Sequence, residues 1–168
     1  YFPVLQEGGI LSNHFLFIFN NKKEHEAVIR KGNEKVLRAR LEDAFFFYRE
    51  DQKTPLEQRV EKLKGMIYQK ELGTYYDKVQ RLSVIAAKVA SLADLNLVDI
   101  EKAAHLTKAD LDTHMVYEFP ELQGVIGRVY ALRQGLTPEI AYAIEDHYAP
   151  RFQKDAIPRN SLGIALAV

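Results

Sequence analysis

The chain has 168 residues, and its 47% hydrophobic and 27% charged residues are typical of a folded globular protein. Lysine plus arginine number 23 and aspartate plus glutamate number 23, so no overall positive charge is available to attract nucleic acid or a membrane surface. Cysteine is absent, which excludes disulfide bonds, a thiolate nucleophile and zinc sites with cysteine ligands.

The apolar residues form no candidate membrane span. No apolar run approaches the ~18 residues that a spanning helix needs, and no signal peptide is present. We therefore expect a cytoplasmic protein. The two ends suggest a segment of a longer chain, because the sequence starts without methionine at Tyr1 and stops within an apolar run at Val168.

The first 20 residues carry the β-strand signal. Residues 2–6 and 14–19 are mostly apolar or aromatic, and Glu7-Gly8-Gly9 between them is typical of a turn. Alternation along the second strand places three rings on one face, those of Phe15, Phe17 and Phe19. Because a two-stranded hairpin is not stable alone, residues 1–21 are interpreted as the end of an incomplete β-containing region.

From residue 22 onward, apolar residues recur at three- and four-residue steps, which predicts helices. Residues 22–53 are predicted as a connecting helical segment, with Gly32-Asn33 as a candidate break. Thr54 and Pro55 are interpreted as the N-cap and first residue of a helix that ends at Gly73.

The remaining helices are delimited by caps and glycines. Thr74, with Asp77 three residues later, predicts a capping box, and a further helix is predicted from about Val98 to Tyr117. Gly135 stops another helix, and Thr137-Pro138 starts the next. The predicted fold is mainly α: a short N-terminal β-hairpin followed by a bundle of about six helices.

Few residues form a pattern associated with catalysis. Gly8-Gly9 lacks the lysine and the following helix that a phosphate-binding loop needs, and no serine lies in a nucleophile-elbow context. Spacing of i, i+4 and i+8 would place three potential metal ligands on one helix face, namely Asp110, His114 and Glu118. A solvated helix face explains the same spacing and is the preferred interpretation.

A basic segment precedes these helices. Residues 22–40 contain seven lysines and arginines against three glutamates. The candidate contacts to a nucleic-acid phosphate backbone are Arg30, Lys31, Lys35, Arg38 and Arg40. The alternative is a solvated helix face that pairs internally with Glu42 and Asp43. The aromatic run at residues 45–48 is interpreted as packing against other elements rather than as a base-stacking surface.

Collinear sequence motifs extend over nearly the whole chain. The run from Gly32 to Leu41, GNEKVLRARL, followed by Asp43-Ala44, looks like the signature of the beta subunit of bacterial glycyl-tRNA synthetase, and the chain resembles that family. Further matching runs are Glu50-Asp51, Thr54 to Glu57, Leu63-Lys64-Gly65, Leu72-Gly73, Tyr76-Asp77-Lys78, Lys108 to Leu111, Glu118 to Gly124, Gly127-Arg128, His147-Tyr148 and Pro150-Arg151-Phe152.

The resemblance implies a role in glycine-tRNA ligase, a heterotetramer of two alpha and two beta subunits. The alpha subunit is expected to hold ATP and glycine, so no catalytic residue and no cofactor is expected in this segment. The implied partners are the alpha subunit, glycine tRNA and the remaining domains of the beta subunit, with no membrane. Contact with tRNA and subunit scaffolding are the implied contributions.

The resemblance also implies that residues 54–168 form a helical domain similar to the HD superfamily of metal-dependent phosphohydrolases, truncated at its C-terminus. Such hydrolases hold their metal with an adjacent His-Asp pair, but the matching position here reads Lys108-Ala109-Asp110, and no His-Asp dipeptide occurs in the chain. We therefore expect a degenerate HD domain, and a phosphohydrolase of the HD type is the alternative function.

Overall fold

The computed structural model describes residues 1–20 and 22–167. Over these residues the protein is mainly helical, with eight α-helices and two small antiparallel sheets. The chain divides into two compact units, Tyr1–Glu42 and Asp43–Val168. The domain limits predicted at residues 21 and 53 stay predictions, because compactness alone does not assign domains. The mainly α fold with an N-terminal hairpin is confirmed, whereas the HD resemblance stays a prediction.

The first unit contains the hairpin and the start of the longest helix. Strand β1 (Phe2–Leu5) pairs antiparallel with β2 (Leu11–Leu16). They are joined by a short 3₁₀ helix in which Gly8 has a φ of +82°. Only glycine adopts such a backbone without strain, which explains the predicted turn. Consecutive ring contacts follow the strand in the order Tyr1, Phe15, Phe17 and Phe19.

Helix α1 (Glu26–Asp51) continues through Gly32-Asn33, so the predicted break there is wrong. The Asn33 side-chain amide donates to the carbonyl of Ile29 one turn earlier, at 2.8 Å. Its hydrogen-bonding capacity is therefore used within the helix. The Tyr1 hydroxyl donates to Asn33 Oδ1 at 2.6 Å and ties the start of the hairpin to this helix.

The second unit consists of seven further helices and a minimal hairpin. The helices are α2 (Leu56–Lys62), α3 (Tyr75–Leu92), α4 (Leu97–Leu106), α5 (His114–Glu118), α6 (Val125–Arg133), α7 (Pro138–Asp146) and α8 (Ser161–Ala167). The hairpin pairs β3 (Ile67–Gln69) with β4 (Gly73–Thr74). Short 3₁₀ helices of this unit cover Leu63–Gly65, Ala109–Asp112 and Pro120–Leu122, and a further one in the first unit covers Lys23–His25.

Side chains that cap helix starts confirm two predicted boundaries. Thr74 and Asp77 form the predicted capping box at the start of α3. The Thr137 hydroxyl accepts from the amide of Ile140 at the start of α7. Thr54, by contrast, is not the N-cap of α2: that helix begins at Leu56, whose amide donates to Gln134 Oε1 at 3.1 Å.

Two predicted helices end earlier than expected. The division of the second into α4 and α5, together with α8 near the C-terminus, gives eight helices in the described residues where about six were predicted. The helix after Pro55 does not reach Gly73, because the chain turns into the β3–β4 hairpin after Gly65. The helix predicted from Val98 to Tyr117 ends at Leu106 and restarts at His114. Between these points Thr107 and Thr113 bond backbone carbonyls through their hydroxyls, a local alternative to continued helix.

The core of the second unit lies where α3, α4, α7 and α8 pack together, with α2 and α6 against them. Alanines dominate the helix contacts and allow close approach. The fully buried residues include Leu56, Leu63, Val79, Ala86, Ala90, Ile100, Ala104, Tyr130, Ala141 and Ile144. This packing brings the Ala109–Asp112 turn, the start of α6 and the end of α7 together.

Candidate functional site

The predicted basic residues lie on α1 but not on one face of it. Lys31, Lys35 and Arg38 follow at steps of four and three residues and share one side of the helix. All three side chains are exposed, and none forms an ion pair with a carboxylate among residues 1–20 and 22–167. We call this set the α1 basic face.

The other two candidates are separated from the α1 basic face. Arg30 pairs with Glu34 at 4.0 Å, which offsets its charge. Arg40 follows Lys31 by nine residues, half a turn away around the helix, and therefore lies on the opposite side. The structure thus brings together three of the five predicted tRNA contacts.

The aromatic run at the end of α1 is divided between the surface and the packed interior. The Phe47 ring stacks on His114 at 5.9 Å between centroids, and Tyr48 meets Tyr130 at 5.6 Å. Phe45 and Phe46 are exposed, so the predicted packing holds for the second half of the run only.

The three metal candidates do not converge. Asp110 lies in a 3₁₀ helix, whereas His114 and Glu118 lie at the two ends of α5, so the predicted single helix face is wrong. Asp110 is fully buried and accepts from the amide of Gly124 at 2.6 Å. His114 is held by Asp51 instead. No group of three or more histidines and carboxylates able to hold a metal occurs in the described parts of the chain.

Asp51 organises the contacts around α5. This fully buried carboxylate accepts from the amides of His114 and Met115, both at 2.9 Å, and from the Tyr130 hydroxyl at 3.2 Å. Arg59, itself 3% exposed, donates to Asp51 Oδ1 at 3.3 Å and to the Asp112 carboxylate at 3.1 Å. Each charge is therefore paired, as burial requires. The network is structural, and beyond the Glu50-Asp51 motif no pattern in the sequence predicts it.

A second buried polar group surrounds Lys108. Its side chain is only 6% exposed, and its Nζ lies 2.6 Å from His147 Nε2 and 3.7 Å from the centroid of the Tyr148 ring. His147 Nδ1 lies 2.6 Å from the carbonyl of Ile144, which can only accept, so Nδ1 carries the proton. The unprotonated Nε2 then accepts from the Lys108 ammonium.

Burial shifts the proton equilibria of this group. Desolvation, with Lys78 and Arg151 nearby, lowers the pKa of Lys108 to about 7, although Asp110 opposes the shift. The same burial holds the pKa of His147 well below its ordinary value, with Lys108 adding to the shift. Burial raises the pKa of Asp110 to about 6, opposed by its hydrogen bond from Gly124. Both imidazole and lysine can therefore be neutral near physiological pH.

The loop after α7 supplies further residues around Lys108. Tyr148 receives a hydrogen bond from the Gln123 amide at 2.6 Å, and Arg151 Cζ lies 5.2 Å from the Tyr148 ring centroid. Gly124 has a φ of +86°, and a Cβ there would lie 2.8 Å from the Tyr148 ring. A glycine is thus required for the ring to sit beside Lys108. Lys108 stood out in the sequence only because Lys108-Ala109-Asp110 replaces the His-Asp pair of HD hydrolases, and no sequence pattern predicts this arrangement.

The whole chain matches one known protein family. A family model described as "Glycyl-tRNA synthetase beta subunit" matches residues 1–168. The chain belongs to this family. The resemblance inferred from the motifs is therefore confirmed.

Curated relatives agree with this assignment. Proteins named "Glycine--tRNA ligase beta subunit" from Neisseria meningitidis (serogroup C, serotype 2a) and Polaromonas naphthalenivorans are each 48% identical to this family member over its full length. The counterpart from Methylobacillus flagellatus is 47% identical. The chain spans 24% of the length of these relatives. No helix in the described ranges combines the length and apolarity that crossing a membrane requires.

Proposed function

We propose that this chain serves a glycine-tRNA ligase by binding the phosphate backbone of glycine tRNA through the α1 basic face. The observation that carries the proposal is the exposure of Lys31, Lys35 and Arg38 on one side of a continuous helix, without carboxylate partners in the described ranges. Cations arranged in this way contact phosphates without reading sequence. Membership of the family supplies the identity of the RNA.

The spacing of the three cations suits an extended polyanion. Lys31 and Lys35 are separated by about 6 Å along the helix axis, and Lys31 and Arg38 by about 10 Å, at about 1.5 Å per residue. In a chain with no net charge, a local row of cations attracts RNA at that row. The contribution is therefore positional: the face holds tRNA while chemistry proceeds at another site.

In this proposal the chemistry belongs to the assembled ligase. ATP and glycine bind to the alpha subunit, and the present segment supplies positioning of tRNA and scaffolding toward the alpha subunit and the rest of the beta subunit in the cytoplasm. The phosphohydrolase alternative is not proposed, because its three candidate ligands, Asp110, His114 and Glu118, lie apart.

The test is a charge reversal in the assembled ligase. The variant carries Lys31→Glu, Lys35→Glu and Arg38→Glu. Its affinity for glycine tRNA is measured by fluorescence anisotropy across a salt series. Each lost phosphate contact reduces the slope of log affinity against log salt by about 1, so we expect the slope to fall by about 2 to 3.

A matched control separates local contact from total charge. Lys70, Arg133 and Lys154 are also exposed, and their reversal to glutamate changes the net charge equally. We expect the control to keep the wild-type slope. Equal affinities and slopes for wild type and the α1 variant would refute tRNA binding by this face. Loss of alpha-subunit association in sedimentation velocity, with tRNA affinity of the beta subunit unchanged, would assign the face to subunit docking instead.

A further inference from the structure

Three cations lie over two tyrosine rings, Tyr148 just after α7 and Tyr68 in β3. Lys108 Nζ and Arg151 Cζ lie 3.7 Å and 5.2 Å from the centroid of the Tyr148 ring. Lys78 Nζ lies 3.9 Å from the centroid of Tyr68. Lys108 is nearly buried, Lys78 is half-buried and Arg151 is exposed. Side-chain exposure thus increases from Lys108 through Lys78 to Arg151.

None of these three cations forms an ion pair with a carboxylate within the described ranges. Asp110 is the carboxylate that faces Lys108. Its Oδ2 accepts a hydrogen bond from the Gly124 amide, and its Oδ1 is buried without a hydrogen-bond partner. The Asp155 carboxylate accepts from the backbone amides of Arg151 and Phe152 rather than from the guanidinium. Positive charge therefore remains in excess at this position.

A desolvated ammonium without a paired anion is unfavourable, so an anion bound beside Lys108 would stabilise its protonated form. His147 fixes the direction of Lys108, because its Nε2 accepts one of the three ammonium protons and leaves the others free. The guanidinium of Arg151 is anchored by a bond from Nη2 to the carbonyl of Gln123 at 2.7 Å, which leaves further N–H groups available.

We propose that Lys78, Lys108 and Arg151 form a binding site for a phosphate group, with Lys108 as its deepest contact. Two ammonium groups and a guanidinium suit the charge and the several acceptor oxygens of a phosphate. The neighbouring rings of Tyr68, Tyr75 and Tyr148 provide flat surfaces beside it. The phosphate can belong to an RNA backbone or to a free nucleotide. The site is independent of the role proposed for α1.

The probe is pyridoxal 5′-phosphate, applied to the assembled ligase. Its phosphate would be held by the cluster while a lysine amine adds to its aldehyde, loses water to give an imine and is fixed by hydride from borohydride. Peptide mass spectrometry then measures labelling at Lys78 and Lys108. Pyridoxal, which has the aldehyde but no phosphate, is the matched probe. Labelling of Lys70 and Lys154 gives the background ratio between the two probes.

We expect Lys78 or Lys108 to be labelled about tenfold more by the phosphorylated probe than the background ratio accounts for, the effect of one or more charge-assisted hydrogen bonds. Arg151→Gln should reduce this labelling several-fold, whereas Arg133→Gln should leave it unchanged. Both side chains are exposed, so neither variant disturbs the core. Inorganic phosphate at constant ionic strength should protect the labelled lysine.

Competition distinguishes the source of the phosphate. Protection by tRNA at micromolar concentration, without protection by AMP, supports an RNA backbone ligand. Protection by AMP and not by tRNA supports a free nucleotide. Background-level labelling of both lysines, or labelling that inorganic phosphate does not reduce, would overturn the proposal.

Discussion

The buried Lys108 makes an unusual pH dependence of stability testable. In the unfolded chain this amine holds its proton up to about its ordinary pKa of 10.5, whereas in the folded chain burial lowers the pKa to about 7. Between these values the unfolded state binds one more proton, so the free energy of unfolding rises with pH. From pH 7 to pH 9.5, at about 1.4 kcal/mol for each pH unit, the rise amounts to about 3 kcal/mol.

Urea unfolding of the wild type and of Lys108→Met, followed by circular dichroism at several pH values, measures this contribution. Methionine is similar in length and remains apolar, so it fills the site without a titrating group. We expect the wild type to gain stability over this pH range and the variant to lack that gain. Parallel curves for the two proteins would refute the reasoning, because Lys108 would then keep its ordinary pKa in the fold.

Three further substitutions test the contacts that hold the second unit. Asp51→Ala leaves Arg59 and two α5 amides without the carboxylate, and urea unfolding should show a loss of about 3–5 kcal/mol; a loss below about 1 kcal/mol would contradict the network. Gly124→Ala places a Cβ against Tyr148 at a positive φ, so thermal unfolding should reveal a cost of about 1–3 kcal/mol. Thr74→Ala removes a cap and should cost about 1 kcal/mol in the same assay, with Thr74→Ser as the variant that retains the bond.

Local chemistry made part of the fold predictable. The capping box at Thr74 and the cap at Thr137 depend on residues within three positions of each other, so their sequence alone specifies them. The N-terminal hairpin follows from its glycine turn and alternating rings in the same way. The α1 basic face was anticipated as a charged segment, although the division of its cations between two sides required the uninterrupted helix.

Tertiary contacts decided what could not be predicted. The region from Thr107 to Thr113 has a helical apolar pattern, but threonine hydroxyls and the burial of Asp110 end α4 there. The cluster around Lys108 joins residues up to 73 positions apart, from Lys78 to Arg151, and no local spacing reveals such a set. The only sequence feature that pointed to this cluster was Lys108, at the position matched to the metal-binding His-Asp pair of HD hydrolases.

The Asp51 carboxylate also determines which backbone amides of this unit are expected to exchange last. Helix α5 has five residues, too few to persist through its own hydrogen bonds, so it exists because Asp51 holds its first two amides. Hydrogen exchange at His114 and Met115 should therefore occur only with unfolding of the whole unit, whereas exposed helix ends exchange locally. We therefore expect a five-residue helix, of a length usually among the most mobile parts of a fold, to belong here to the slowest-exchanging core.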